Sequence, residues 1–110
     1  MIFKRDMVQG FKDLGLRDGD IVLVHSSLSS FGYVDGGADA VIDSLLEAVG
    51  ESGTVMVPTL TGKSSDGKDN PPVFNVRTTP CWTGKIPETF RQRPEARRSL
   101  HPTHSVSAIG

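Results

Sequence analysis

One cysteine in 110 residues, Cys81, excludes an internal disulfide, and a chain without a cysteine framework fits a reducing compartment such as the cytoplasm. Long apolar runs are missing as well. The longest clear one is Ile21 to Val24, far below the roughly 20 residues that a membrane-spanning helix needs. The first stretch, Met1 to Lys12, mixes Lys4, Arg5 and Asp6 into its few apolar residues and lacks the core of a signal peptide. Neither a membrane partner nor export is expected. Excess charge of one sign is absent too: 12 Lys and Arg face 13 Asp and Glu, so nothing draws the whole chain to nucleic acid. There are no internal repeats, and only Lys63 to Lys68 is of low complexity.

What is present suits a globular protein. Hydrophobic residues make up 36%, beside 12 glycines, and the length fits one domain, residues 1–110. Met7, Phe11 and Leu14 recur at helical spacing before Gly15, so a short helix is predicted from Arg5 to Leu14. A polar turn then feeds Ile21 to His25, a β-branched run of the kind buried on both faces of a parallel sheet. From Ala38 to Val49, apolar Val41, Ile42, Leu45, Leu46 and Val49 share one helix face, and Thr54 to Pro58 reads as a second buried strand. Strand, helix and strand in that order form a βαβ unit.

From Thr59 to Pro80 the chain turns to Gly, Ser, Asp, Asn, Lys and Pro without periodicity, which predicts a long functional loop. A third helix is predicted from Gly84 to Gln92, with Thr83 as N-cap, and a last strand from Ser105 to Ile109. The fold class is therefore α/β: a mostly parallel sheet with flanking helices. Strands of this buried type need cover on both faces, and so few elements cannot supply it, so the fold is expected to be an incomplete part of a larger α/β domain.

The segment His25-Ser26-Ser27-Leu28-Ser29-Ser30-Phe31-Gly32 follows the first strand directly, where open α/β sheets bind ligands. Its serine hydroxyls and backbone N–H groups can donate to phosphate oxygens, and the helix start near Gly36 and Gly37 adds a favourable dipole. The alternative is a polar turn that merely closes the strand end. Gly62-Lys63-Ser64 imitates a phosphate-binding loop, but Val57 stands where that motif needs glycine, and no Gly-x-Ser-x-Gly elbow marks a hydrolase. His101-Pro102-Thr103-His104-Ser105 places two imidazoles three residues apart. Without further ligands at metal spacing, hydrogen-bonding or ligand-contacting histidines are favoured over a metal site, and no metal is expected. The basic run of Arg77, Lys85, Arg91, Arg93, Arg97 and Arg98 outweighs Glu88 and Glu95, and is open to two readings: contact with phosphates or a solvated face.

Taken in order, Leu14-Gly15-Leu16-Arg17-Asp18-Gly19-Asp20, Val24-His25-Ser26-Ser27-Leu28-Ser29-Ser30-Phe31-Gly32, Gly36-Gly37-Ala38, Gly53-Thr54-Val55-Met56-Val57-Pro58-Thr59 and His101-Pro102-Thr103-His104-Ser105 resemble the aminoglycoside 3-N-acetyltransferases. The resemblance implies direct transfer of an acetyl group from acetyl coenzyme A to an amine, in many members the 3-amino group of a 2-deoxystreptamine antibiotic. It also implies that Ser26, Ser27, Leu28, Ser29, Ser30, Phe31 and Gly32 lie against the cofactor, with His101, His104 and Ser105 as further contacts. The family's general base, a histidine in a later His-x-x-Glu motif, has no counterpart here and is expected beyond Gly110. Where many members carry an acidic, tryptophan-rich insertion, this loop sets only Asp66 and Asp69 against Lys63, Lys68 and Arg77. The acceptor is thus left open between an aminoglycoside and another amine. A noncatalytic chain that keeps the start of the fold, and a metal-dependent hydrolase using His101 and His104, are the competing readings.

Overall fold

Short-range signals decide where the first helix begins and ends. In the computed structural model, which describes residues 1–25, 27–63 and 65–110, helix α1 spans Lys4–Asp13. Its first turn is closed by the Asp6 carboxylate, which accepts the Phe3 N–H at 3.0 Å, and it ends before Gly15, whose φ of 111° few other residues tolerate. Met7 is its buried residue. The amino terminus is pinned by Ile2, whose N–H donates to the Tyr33 carbonyl while its own carbonyl accepts the Asp35 N–H, both at 2.8 Å.

Helix α2, Gly37–Val49, is the centre of the molecule. Val41, Ile42, Leu45, Ala48 and Val49 are buried on it, and the helix's own buried hydroxyl, that of Ser44, donates to the Val41 carbonyl at 2.8 Å. Strands β1, Ile21–Leu23, and β2, Thr54–Pro58, pair in parallel on either side of it in sequence, which completes the expected βαβ unit. The turn from α2 into β2 is tight: a Cβ on Gly53 would press into the Val49 side chain and carbonyl.

Helix α3, Lys85–Arg91, inserts Ile86 and Phe90 against α2. Thr83 does not cap it. Gly84 is the N-cap, and the Thr83 hydroxyl instead donates to the Pro58 carbonyl at 2.6 Å, tying the helix start to the end of β2. Two further strands follow, β3, Arg97–Arg98, and β4, Val106–Ile109. The sheet order is β1-β2-β4-β3, with β4 antiparallel to both neighbours.

The architecture is α/β with a βαβ unit and flanking helices, as the sequence indicates, but the sheet is mixed. Parallel pairing is confined to β1 and β2, because β4 returns beside β2 and pairs with the two-residue β3, an element too short to leave a periodic signal. The two faces of the sheet differ. Val22, Val55, Val57, Ser107 and Ile109 share one face by register and meet the helices. On the other face Ile21 is 72% exposed and Leu23 52% exposed, beside partly buried Met56, Val106 and Ala108. The expectation that β1 is buried on both faces is therefore corrected: α2 and α3 pack on one side of the sheet with α1 laid against α2, and nothing among the described residues covers the other.

Candidate functional site at the sheet edge

Beyond Leu23 the chain stays beside β2 for one more bond, from the Val24 N–H to the Met56 carbonyl at 2.8 Å, and then leaves the sheet. Ser26 lies outside the described residues. Residues Leu28–Phe31 form a single 3-10 turn with Ser27 at its N-cap. The turn is closed by Gly32, whose N–H reaches the Ser29 carbonyl at 3.2 Å and whose φ of 73° favours glycine. Leu28 and Phe31 pack against the core, which fixes the turn. The Ser27 and Ser29 hydroxyls, 2.9 Å apart, are thereby left on the exposed side. Ser30 belongs to the same turn. Four residues on, Gly36 caps α2 without a side-chain hydrogen bond, so the positive end of a largely buried helix follows the hydroxyl cluster.

The histidine block reaches the same edge by a different route. β1 and β2 run parallel and β4 opposite to them, so the carboxyl ends of the first two and the amino end of the third lie together. The continuation of β2 holds the block in place: the Thr59 N–H donates to the Ser105 carbonyl at 2.9 Å, and the Thr61 and Gly62 N–H groups donate to the Thr103 carbonyl at 2.9 and 3.0 Å. The Thr61 hydroxyl adds a bond to the Pro102 carbonyl at 2.8 Å.

Within the block the three named residues differ in what they can offer. His101 Nδ1 accepts the N–H groups of Thr103 and His104, at 3.2 and 2.9 Å. Two backbone donors at one ring nitrogen require the neutral tautomer with its proton on Nε2, so His101 presents a donor outward. That suits contact with a carbonyl or phosphate oxygen better than proton abstraction. His104 Nδ1 lies 2.7 Å from the Thr103 hydroxyl, and the two imidazoles meet edge to face with centroids 5.4 Å apart. Both rings are exposed. Ser105 is fully buried, and its hydroxyl donates to the Thr59 carbonyl at 2.7 Å while accepting from Arg98 Nε at 2.9 Å. Its contribution is to anchor the turn that carries the histidines.

Arg98 is the residue that sequence reasoning misplaced. Besides Ser105, its guanidinium donates to the Thr59 carbonyl at 3.0 Å and to the Thr79 carbonyl, and it sits 4.9 Å over the Phe74 ring. It thus joins β3, the end of β2, the long loop and the histidine block. Burial, with the positive charge of Arg91 nearby, pulls its pKa below the ordinary arginine value. Arg93 bridges Asp39 and Asp43, at 2.9 and 2.8 Å, and Arg91 pairs with Glu88. Three of the run's cations are committed to partners inside the fold, so for them neither phosphate contact nor a solvated face describes the run. No local pattern announces partners so distant in sequence.

The Glu88 and Arg91 pair yields a pH dependence. Burial alone would raise the Glu88 carboxyl, but the Arg91 guanidinium and the Cys81 N–H, at 3.0 Å, outweigh it and hold the pKa below its ordinary 4.5. A lowered folded-state value stabilises the fold above the unfolded-state pKa, and that contribution is lost as pH falls through the folded one. Glu88→Gln is accordingly expected to cost about 1–2 kcal/mol at neutral pH in urea melts, with the gap from the parent narrowing as the pH drops below 4.5.

The loop between β2 and α3 carries no helix or strand among its described residues. With the Trp82 indole, whose N–H donates to the Gly62 carbonyl at 2.9 Å, it encloses a cleft of about 430 Å³ lined by Thr61, Lys63, Asp66, Pro72, Cys81 and Pro102 among others. Pro102 links that cleft to the histidine block. The serine-rich turn does not line it. Among the described residues no group of three or more His, Cys, Asp or Glu side chains converges as a metal site would need, and no helix is long and apolar enough to cross a membrane.

The profile of the aminoglycoside 3-N-acetyltransferases matches residues 23–110, from within β1 to the last residue. The chain belongs to the aminoglycoside 3-N-acetyltransferase family. Among curated proteins it is 42% identical to the SPbeta prophage-derived aminoglycoside N(3')-acetyltransferase-like protein YokD of Bacillus subtilis (strain 168), over 97% of this chain and 46% of that protein. The crystal structure of YokD superposes with a TM-score of 0.90 at 38% identity, covering all of this chain and 51% of YokD. A second relative, AAC-IIIb, solved as a binary complex with CoASH, superposes with a TM-score of 0.83 at 27% identity, over 98% of this chain and 46% of that one. This acetyltransferase-family chain spans about half the length of the relatives it matches.

Proposed function

We propose that these residues form the cofactor-binding part of an N-acetyltransferase that moves the acetyl group of acetyl coenzyme A to an amine of the aminoglycoside type. The observation that carries the proposal is the serine-rich turn at the carboxyl end of β1, packed in place by Leu28 and Phe31 with the Ser27 and Ser29 hydroxyls exposed on the stretch that leads into α2. Ser27, Ser29 and the turn's N–H groups donate to the phosphorylated tail of the cofactor, and Gly32 lets the backbone approach it. Ser26 and Ser30 belong to the same subsite. His101 Nε2–H contributes a donor from the neighbouring turn, His104 flanks it, and Ser105 keeps that turn in place.

In the reaction the acceptor nitrogen attacks the thioester carbonyl, the carbon–sulfur bond breaks, coenzyme A leaves as its thiol, and the nitrogen gives up one proton. A base for that proton contributes about 10²–10⁴-fold. His101 Nδ1 is engaged by two amides, and the family resemblance assigns the base to a His-x-x-Glu motif that residues 1–110 do not contain. Residues 1–110 act as one unit, in the cytoplasm, without a metal ion. The loop's Lys63 and Lys68 leave room for an acceptor less cationic than the antibiotics.

Calorimetric titration with coenzyme A tests the reading. The parent is expected to bind, and Ser27→Ala/Ser29→Ala to bind about tenfold more weakly, as lost hydrogen bonds to a charged group imply. Equal affinity of the two proteins would contradict it.

A further inference from the structure

Trp82 lines the cleft of about 430 Å³ beside the histidine block, yet it is 62% exposed. It is nonetheless held in place. Its backbone N–H donates to the Leu60 carbonyl at 3.1 Å and its indole N–H to the Gly62 carbonyl at 2.9 Å, so both ends of the residue are tied to the continuation of β2. The polar edge of the ring is engaged by that bond, which leaves the flat, apolar faces as the surface it can offer. Gly62 in turn donates its N–H to the Thr103 carbonyl at 3.0 Å, and a Cβ placed on it would stand 3.1 Å from Thr103 Cβ. The indole is thus joined through one residue to the turn that carries His101. The polar groups around it are largely taken: Asp66 accepts the Lys63 N–H at 2.8 Å, the Thr61 hydroxyl donates to the Pro102 carbonyl, and the Asn70 amide donates to the Ser65 carbonyl at 2.9 Å. The Lys63 ammonium is different. It lines the same cleft, and none of the ion pairs among the described residues includes it.

We propose that Trp82 and Lys63 select the acceptor, and that it is a single-ring amino sugar carrying one anionic group, with its C–H face stacked on the indole and the anion at the Lys63 ammonium. That this ligand is the acceptor rests on the acetyl-transfer reading; that the cleft binds it does not. The C–H groups on one face of a saturated ring carry a small positive charge and meet the negative face of the indole, while the charged group sets the orientation. A polycationic antibiotic is disfavoured here. Its ammonium groups would find one carboxylate among the described lining residues, Asp66, which already accepts a backbone N–H, and they would be repelled by Lys63. Size points the same way. The cleft, at about 430 Å³, lies toward the lower end of the roughly 300–1,000 Å³ of small-molecule sites, which suits one ring better than several. Through Gly62 and Thr103 the stacked ring is held next to His101, the residue assigned to the cofactor side, where an amine must lie to meet a thioester.

Trp82 is the one tryptophan in the 110 residues, so its fluorescence reads this site directly. The probes are glucosamine 6-phosphate, the C6 carboxylate of glucosamine, glucosamine itself and 2-deoxystreptamine, each titrated without coenzyme A. Acrylamide quenching of Trp82 is expected to fall about twofold when an anionic sugar covers the indole face. At least one of the two anionic sugars is expected to bind more tightly than glucosamine and 2-deoxystreptamine, and the pair shows whether phosphate or carboxylate is preferred. In calorimetry, Lys63→Gln is expected to weaken the anionic sugars by about three- to tenfold and leave glucosamine unchanged. Trp82→Leu is expected to weaken all the sugars about tenfold, with Trp82→Phe restoring part of the loss. Undiminished quenching with both anionic sugars would overturn the proposal. So would tighter binding of 2-deoxystreptamine, or a Lys63→Gln variant that binds the anionic sugars as the parent does. Shielding of Trp82 in a protein whose Ser27→Ala/Ser29→Ala variant keeps full coenzyme A affinity would leave this cleft standing and remove the cofactor subsite; the opposite pair of results would remove the cleft alone.

Discussion

Replacing Arg98 with alanine is expected to lower stability by about 2–4 kcal/mol, with a urea midpoint shifted down and the loop between Thr59 and Pro80 loosened first. The guanidinium is the donor for the Thr79 carbonyl and one of two for the Thr59 carbonyl, and it lies over Phe74. Its removal leaves polar groups without donors in a part-buried site, and the penalty for each such group exceeds the value of the bond itself. Arg98→Lys is expected to recover only part of the loss. An ammonium is a single point of charge and cannot serve Ser105, Thr59 and Thr79 along three fixed directions. Hydrogen exchange at Thr61 and Thr103 in the two variants would show whether the histidine block loosens together with the loop; unchanged exchange at Thr103 would show that Arg98 does not hold it.

Phe90→Ala is the other large effect, expected at about 3–5 kcal/mol in the same melts. Phe90 is 0% exposed and belongs to the cluster formed with Ile42, Leu45, Val57 and Ile86. It is the largest fully buried side chain, and the short α3 that carries it is held by little else of that size. A cost below about 1 kcal/mol would mean that the cluster collapses into the void, at odds with a core fixed by α2 and β2.

The legible parts of the sequence were those governed by nearest neighbours and by period. The central helix begins at Gly37 where Ala38 was expected, and the strand Thr54–Pro58 has the expected bounds, because apolar spacing and flanking glycines specify both. Bare β1 was not legible. Ile21 to Val24 has the composition of a doubly covered strand, and composition reports what a strand is suited to, not which neighbours are there to cover it. β3 was missed because two residues carry no alternation, and the direction of β4 because strand order depends on a return of the chain that no local rule encodes.

The candidate site divides along the same line. The serine-rich turn could be placed from its position after an apolar strand. The roles inside the histidine block could not: that Ser105 is buried under Arg98, and that His101 Nδ1 is taken by two amides, follows from contacts with Thr59, Thr103 and His104 visible only in three dimensions. The exposed Ser27 and Ser29 hydroxyls and the buried Ser105 hydroxyl belong to the same residue type, and only packing tells them apart.

The most direct measurement is a titration of the isotope-labelled protein with coenzyme A, followed by amide chemical shifts. The account predicts that the largest changes fall on residues 27–32 and on His101 to His104, with α1 and the bare sheet face unmoved. Changes concentrated on the far end of the sheet, around Asp20, Gly53 and Gly110, with residues 27–32 unaffected, would contradict it.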